Sequence, residues 1–399
     1  MTTSTWAAAK HRGLVPVGVT VFVLSVVAFI RVPLLPEIGR DLTMSAGQLG
    51  LVTAMFAMGR LLTDLPAGRA LERVRATGLL VTSTTVMAAG SVGLALADRS
   101  LMVYGAAFVL GVASAVTNAT GMHAFSVAVP KRQRGTSLAV FSTALLAGQA
   151  LGPVTGGTIA AATSWRGAGL VAGGTCLILV CALVWSRSRQ RRVTPGEPVA
   201  GVSQPADDRP SPQGWDTQRA ALLFVAFAMF FTLGAMPQTL IPLIGAHDFG
   251  LRVEWIGAAL GLGGTCRLIG GFVGGVAADR VSRRAALLPG LVLQAVGVAL
   301  IAGTGVQWWL AGIVLMSLAS WSISVAGTVL ADLAPQGRLG PQLGGFRFVG
   351  DVGLILGPVL GTQIYQVAGR AVAAAAIATL LLAAAAWSAI SVPETAGPG

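Results

Sequence analysis

Long apolar runs recur along the whole chain, and they limit the possible folds more than any other feature. A helix needs about 20 apolar residues to cross the hydrocarbon core of a bilayer. Twelve runs suited to such a crossing occur in the 399 residues, and each is continuous rather than alternating, which favours helices over barrel strands. The runs lie at 14–35, 46–70, 76–97, 101–128, 136–161, 167–186, 220–243, 253–277, 285–305, 308–331, 343–368 and 370–391. The pattern predicts an all-α membrane protein with twelve transmembrane helices.

The scarcity of charged residues excludes most soluble classes of protein. Only 11% of the residues are charged and 54% are hydrophobic, whereas a soluble protein has about 25% charged residues. A soluble fold of this composition would lack the polar side chains that cover a protein surface. We therefore exclude a soluble enzyme, a coiled coil, a disordered chain and a nucleic-acid-binding domain. The net charge of +12 does not indicate a nucleic-acid partner, because the charges stand in short clusters between apolar runs.

One connection between the runs differs from all the others. Residues 187–219 contain six arginines and five prolines. A polar, proline-rich segment of this kind cannot bury enough apolar surface to form a core. We therefore expect a cytoplasmic linker at 187–219, between an N-terminal six-helix bundle at 1–186 and a C-terminal six-helix bundle at 220–399.

The basic residues predict how the chain is oriented. Of the 27 lysines and arginines, 18 fall in segments on one side of the predicted helices and 5 on the other. Because lysine and arginine are enriched in cytoplasmic loops, we expect both termini in the cytoplasm and the protein in the cell membrane. The first run has no small-residue cleavage site after it, so we expect a retained helix rather than a signal peptide.

The two halves of the sequence repeat each other. An offset of 207 residues relates Gly50 to Gly257, and the same offset relates Arg60 to Arg267. An offset of 205 relates the fifth run to the eleventh. The pairs are Gly148 and Gly353, Gly152 and Gly357, Pro153 and Pro358, and Gly156 and Gly361. Parallel repeats are typical of secondary transporters, whose substrate site lies near the bilayer midplane between the repeats.

Two short motifs stand out within these repeats. The first motif occurs after the second run and again after the eighth. In it, a glycine is followed four residues later by an acid and five residues later by an arginine. The charged residues of these loops are Glu72, Arg73, Asp279 and Arg280. The fifth run contains Gly148, Gly152, Pro153, Gly156 and Gly157, with counterparts at Gly357, Pro358 and Gly361.

With these motifs the sequence resembles the major facilitator superfamily over nearly its whole length. The resemblance implies two pseudo-symmetric six-helix bundles that expose a shared cavity to each side of the membrane in turn. The motifs are most similar to those of proton-coupled drug or metabolite antiporters. The resemblance also implies that the four loop charges form a cytoplasmic gate, although solvated surface charge on the cytoplasmic side is the alternative. The glycines and prolines of the fifth and eleventh runs are interpreted as helix-packing and kink residues.

Charged residues inside the apolar runs are costly and therefore informative. Arg60 and Asp64 are four residues apart in the second run, and Arg347 and Asp351 are four residues apart in the eleventh. Residues four apart share one helix face, so each couple can neutralise itself. The family fold implies that the second and eleventh helices are neighbours. We therefore expect either one group of four charges that couples transport to protons, or two structural ion pairs.

Other polar or aromatic residues in the runs are candidates for lining a substrate cavity. They are Arg31, Asn118, Gln238, Arg267 and Trp321. An arginine in a membrane helix can bind an anionic substrate group, pair with another helix or extend to the lipid surface. The uncharged residues can equally serve packing with a local hydrogen bond.

These features predict a secondary active transporter and leave its substrate open. Proton-coupled efflux of a hydrophobic drug or metabolite is the leading interpretation. Proton-coupled uptake of a small anionic metabolite and a non-transporting sensor or scaffold are the alternatives. The sequence has no phosphate-binding loop and no hydrolase motif, so we expect neither an enzyme nor an ATP-driven pump. We expect no cofactor and no metal, and we expect a monomer whose partners are the small-molecule substrate, protons and the bilayer.

Overall fold

The chain is an all-helical membrane protein. The computed structural model describes residues 14–74, 76–130, 133–190, 215–280, 282–334 and 339–392. The helices in these ranges confirm the predicted fold class. Most of the predicted linker, residues 191–214, lies outside the described ranges.

The first half contains six transmembrane segments. The first segment is bent by 42° between two helices, and each of the other five is one helix. The helices are α1 (Leu14–Ile30), α2 (Leu35–Asp41), α3 (Ala46–Arg73), α4 (Ala76–Ala95), α5 (Ser100–Val127), α6 (Arg134–Ala162) and α7 (Trp165–Gln190). We call the end at the loops 96–99 and 163–164 the outer end, because the arginine distribution predicts that it faces outside.

The second half contains six further segments. Its helices are α8 (Trp215–Ala235), a π-helical turn (Met236–Leu240), α9 (Ile241–His247), α10 (Val253–Arg280), α11 (Arg283–Leu300), α12 (Val306–Leu318), a 3₁₀ turn (Ala319–Trp321), α13 (Ser322–Leu333) and α14 (Leu339–Ser391). Gly369 divides α14 into two segments with a φ of 80°, a value that favours glycine. The described ranges therefore contain the twelve predicted segments.

Local breaks within three segments were not predicted, and prolines account for two of them. Pro33 lies in the break between α1 and α2, where it cannot donate a helical hydrogen bond and restricts the residue before it. Pro237 lies in the π-helical turn. The hydroxyl of Thr239 donates a 3.0 Å hydrogen bond to the carbonyl of Gly234 there. The hydroxyl thus gives a partner to a carbonyl beside the irregular turn.

The helices form two compact units. Among the described residues, those within Met1–Leu42, Met55–Gly201 and Val253–Gly261 form the first unit, and those within Thr43–Ala54, Val202–Arg252 and Leu262–Gly399 form the second. In the first unit α1 packs on α6, and α4 packs on α5 and α7. In the second unit α8 packs on α14, and α11 packs on α12 and α14. The first turns of α3 and of α10 therefore each belong to the unit formed mainly by the other half of the chain.

Candidate functional site

The glycine–proline segment of α6 contacts two helices at close range. A Cβ atom at Gly156 would lie only 2.3 Å from the carbonyl oxygen of Ile30 at the end of α1. On the other side of α6, a Cβ atom at Gly257 of α10 would lie 2.4 Å from the carbonyl oxygen of Pro153 and 3.2 Å from the Cα of Gly157. Both contacts involve backbone atoms, so only glycine fits without moving a helix. The segment is thus packed between α1 and the first turns of α10.

The same arrangement recurs in the second unit. A Cβ atom at Gly357 of α14 would lie 2.2 Å from the carbonyl oxygen of Phe231 on α8. A Cβ atom at Gly50 of α3 would lie 2.5 Å from the carbonyl oxygen of Pro358. The hydroxyl of Thr362 donates to that same carbonyl at 2.6 Å. Gly361, another predicted packing residue, is buried against Ala235. The 207- and 205-residue offsets of the sequence therefore relate the contact between Gly257 and Pro153 to the contact between Gly50 and Pro358.

The predicted intramembrane charges stand on α3 and α14 with helical spacing. Arg60 and Asp64 are both half-buried on α3. On α14, Asp351 is only 3% exposed, whereas Arg347, one turn earlier, is exposed. Each couple lies on one helix, one turn apart, as the sequence indicated. The joining of the two couples into one group stays a prediction.

Arg31 occupies the break between α1 and α2. Its side chain is 2% exposed, and its guanidinium lies over the ring of Phe56 on α3, with 4.1 Å between the Cζ atom and the ring centroid. Such stacking is favourable for a desolvated cation. Arg60 follows Phe56 by one turn on α3, near enough for its positive charge to repel that of Arg31. The break thus presents a buried, electropositive group flanked by an aromatic ring.

A small pocket lies in the first unit. It is partly open to solvent, and it is lined by α1, α4, α5 and α6. Its lining residues are Leu24, Ser25, Ala28, Phe29, Met87, Ser114, Thr117, Leu145 and Gln149. No charged side chain lines it, and its polar groups are hydroxyls and one amide. Sequence reasoning missed this pocket, although it selected Asn118, the half-buried neighbour of Thr117.

The remaining cavity candidates have different surroundings. Gln238 is buried in the π-helical turn, and its backbone carbonyl accepts a 3.3 Å hydrogen bond from Thr53. Arg267 is half-buried on α10. The indole of Trp321 donates a 2.9 Å hydrogen bond to the carbonyl of Ala286 and lies against Gly274. The contacts of Trp321 are those of a helix-packing residue.

The predicted gate residues are only partly described. The side chains of Glu72, Arg73 and Asp279 lie outside the part of the structure that is described, and Arg280 is exposed at the end of α10. Sequence reasoning missed a nearby ion pair, in which the Nε of Arg283 lies 2.5 Å from a carboxylate oxygen of Asp332 on α13.

Twelve helical segments in the described ranges, arranged as repeated halves with buried charged and polar groups, define a multi-pass membrane protein of the transporter class. The chain belongs to the major facilitator superfamily, whose model matches residues 17–270 and 220–399.

Curated relatives include proteins with different substrates. The chain is 26% identical to the hexuronate transporter of Bacillus subtilis (strain 168) over 361 residues, which cover 82% of this chain and 81% of the relative. It is 25% identical to the class C tetracycline resistance protein of Escherichia coli over 342 residues, which cover 84% of each chain. It is 24% identical to the class G tetracycline resistance protein of Vibrio anguillarum over 350 residues, which cover 84% of this chain and 85% of the relative.

Solved structures show the same fold. A bacterial homolog of the human lysosomal transporter Spinster, crystallised in an inward-facing and occupied conformation, matches with a TM-score of 0.78. Sequence identity is 14%, and the match covers 96% of each chain. The inward-facing and unoccupied form of that homolog matches with a TM-score of 0.74 at 14% identity, over 94% of this chain and 95% of the other.

Proposed function

We propose that the protein is a proton-coupled exporter of a hydrophobic drug or metabolite, acting by alternating access as a monomer in the cell membrane. The observation that carries this proposal is the pocket of the first unit, whose lining is apolar except for hydroxyls and one amide. Ligand sites of this composition bind apolar molecules and orient them with a few hydrogen bonds. The chain is also related to two tetracycline resistance proteins, and this relatedness supports a drug as the substrate.

Proton coupling is assigned to the intramembrane carboxyl groups. Burial favours the protonated form of a carboxyl group, whereas a nearby arginine favours the ionised form. A carboxyl group that moves between these surroundings during the transport cycle would bind and release a proton. Asp351 is the first candidate because it is almost fully buried one turn from Arg347, and Asp64 is the second. The gate residues Glu72, Arg73, Asp279 and Arg280 would hold the cytoplasmic side closed, with both termini in the cytoplasm.

Everted membrane vesicles test the export proposal. With an acidic interior, vesicles that contain the protein should accumulate tetracycline, and dissipating the pH gradient should abolish the accumulation. Asp351→Asn should remove the pH-driven accumulation. Asp216→Asn, a matched change at an exposed position on α8, should leave it unchanged. Full pH-driven accumulation by both Asp351→Asn and Asp64→Asn would refute the coupling role.

A second candidate function is proton-coupled uptake of a small organic anion. The observation that favours it is the buried guanidinium of Arg31 over Phe56, with Arg60 close by. An arginine binds a carboxylate with two parallel hydrogen bonds, and one relative is a hexuronate transporter. In this case glucuronate should enter right-side-out vesicles with an acidic exterior. Arg31→Gln should abolish this entry, whereas Arg267→Gln should retain it.

The two functions predict different results for the two probes. Glucuronate uptake without tetracycline accumulation would contradict export and support anion uptake. A protein that is folded and yet moves neither probe, nor any of a panel of hydrophobic cations and organic acids, would favour the sensor or scaffold alternative.

A further inference from the structure

A cluster of three side chains joins the outer ends of three transmembrane segments in the first unit. Asp41, the last residue of α2, accepts a 3.1 Å hydrogen bond from the indole of Trp165 and a short ion-pair contact from Arg166, both at the start of α7. Arg166 also donates a 3.1 Å hydrogen bond to the carbonyl of Ala97, just after α4. Its guanidinium stacks on the ring of Trp165, with 4.2 Å between the Cζ atom and the centroid. We call Asp41, Trp165 and Arg166 the first clasp.

An equivalent cluster lies in the second unit. Asp248, just after α9, accepts a 2.8 Å hydrogen bond from the hydroxyl of Tyr365 and a 3.3 Å hydrogen bond from Arg370. Arg370 also donates a 3.4 Å hydrogen bond to the carbonyl of Ala302, just after α11. Its guanidinium lies 4.9 Å from the ring centroid of Phe249. We call Asp248, Tyr365 and Arg370 the second clasp.

The two clasps occupy equivalent positions of the repeat. The offset between them is 207 residues for the aspartates, 205 for the carbonyl acceptors and 204 for the arginines. The first two values equal the offsets of 207 and 205 that relate the glycine motifs, and the third differs from 205 by one residue. Each clasp combines an acid, an arginine, a backbone carbonyl and an aromatic ring. The aromatic donor is Trp165, directly before the arginine, in the first clasp and Tyr365, five residues before the arginine, in the second. The second clasp is the less exposed, with side chains 22% and 23% exposed against 42% and 45% in the first.

Each clasp ends a short helix that follows an irregular turn. Asp41 lies ten residues after Arg31, at the far end of the seven-residue α2. Asp248 lies ten residues after Gln238, and the seven-residue α9 comes directly before it. A helix this short is not stable by itself, so its direction depends on what holds its ends. The break at Arg31 and the π-helical turn at Gln238 are therefore each adjacent to a segment that a clasp fixes.

We propose that Arg166 and Arg370 are positioning residues for the transport site. Each ties the outer end of the first segment of its repeat to the third and sixth segments, and so fixes the cavity candidates Arg31 and Gln238 within their units. Breaking the first clasp would free α2 and the break at Arg31 and leave the second unit unchanged. Breaking the second clasp would free α9 and the π-helical turn. The effect on transport rests on the proposed function, whereas the effect on local order does not.

Cysteine labelling tests the two clasps without any substrate. In protein whose native cysteines are replaced by alanine, we would introduce either Val32→Cys or Leu240→Cys, both at buried positions beside the two turns. A water-soluble maleimide should label Val32→Cys about three- to tenfold faster when Asp41→Asn is added, because a partly exposed charged pair and its hydrogen bonds are lost. Asp248→Asn should not change that rate. For Leu240→Cys the two aspartate variants should exchange their effects.

Two further variants separate positioning from a general loss of stability. Arg166→Lys keeps the charge without the fork of hydrogen bonds, so the rate at Val32→Cys should be intermediate. The reversed pair Asp41→Arg with Arg166→Asp should bring the rate back towards that of the intact clasp. Unchanged labelling with Asp41→Asn would overturn the proposal, and so would an equal increase at both cysteines with either aspartate variant. Tetracycline flux that is absent even with intact clasps would count against the proposed function and leave the labelling result valid.

Discussion

The contact between α6 and α10 gives the sharpest prediction about the glycines. In Gly257→Ala the new Cβ would lie 2.4 Å from the carbonyl oxygen of Pro153, whereas ordinary contact needs about 3.5 Å. The helices must therefore separate by roughly 1 Å, and overpacking of this kind costs about 1–3 kcal/mol. A cost of about 1–3 kcal/mol corresponds to a shift of about 5- to 150-fold towards conformations in which α10 has moved away from α6.

Cysteine accessibility measures this shift. Ala150 of α6 is buried, and its carbonyl lies beside Gly261 of α10. In protein without native cysteines, maleimide labelling of Ala150→Cys should rise by about 5- to 150-fold when Gly257→Ala is added. Gly271→Ala is the matched control, because it is on the same helix and a Cβ there meets no atom within 4 Å. Equal labelling with the two glycine variants, together with equal melting temperatures, would refute the contribution of this contact.

Three other changes have defined outcomes. Trp321→Ala should lower the free energy of unfolding by about 3–5 kcal/mol, because it empties the space against Gly274 and removes a hydrogen bond. An unchanged melting temperature in detergent would contradict this prediction. The hydroxyl of Ser282 accepts a 3.0 Å hydrogen bond from the backbone of Ala285 at the start of α11. Ser282→Ala removes this hydroxyl and should lower the free energy of unfolding by about 1 kcal/mol. Ser282→Asn should restore most of the loss in the same melting assay. Asp64→Asn should lower pH-driven tetracycline accumulation and retain binding of tetracycline at equilibrium, and a loss of binding with normal coupling would show that the role assigned to this carboxyl group is wrong.

The membrane segments and the repeat could be predicted because both depend on local sequence patterns. A run of apolar residues indicates a transmembrane helix wherever it occurs, and the glycine spacing of α6 and α14 can be compared directly. The break at residues 31–34 was missed because Pro33 lies near the end of a predicted run, where a proline does not alter the hydropathy pattern. The π-helical turn depends on how the neighbouring backbone accommodates Pro237 and Thr239. The amino-acid composition of the segment does not predict this accommodation.

The candidate site could be predicted only in part. Intramembrane arginines and aspartates are rare enough to be selected by residue type alone. The pocket hydroxyls are not, because serine and threonine in apolar helices usually bond to the carbonyl four residues earlier, as Ser25 and Thr117 also do. The first clasp joins Asp41 to Arg166 across 125 residues. No local pattern links such positions, although the repeat offset relates each of them to its counterpart in the second half.

The coupling of substrate movement to protons is the most direct test of the whole account. Proteoliposomes loaded with tetracycline and a pH-sensitive dye, with no pH gradient at the start, should become acidic inside as tetracycline leaves, because protons enter in exchange. Liposomes containing Asp351→Asn should show no such acidification. Tetracycline efflux through the intact protein without a change in internal pH, or with a rise in it, would contradict proton exchange.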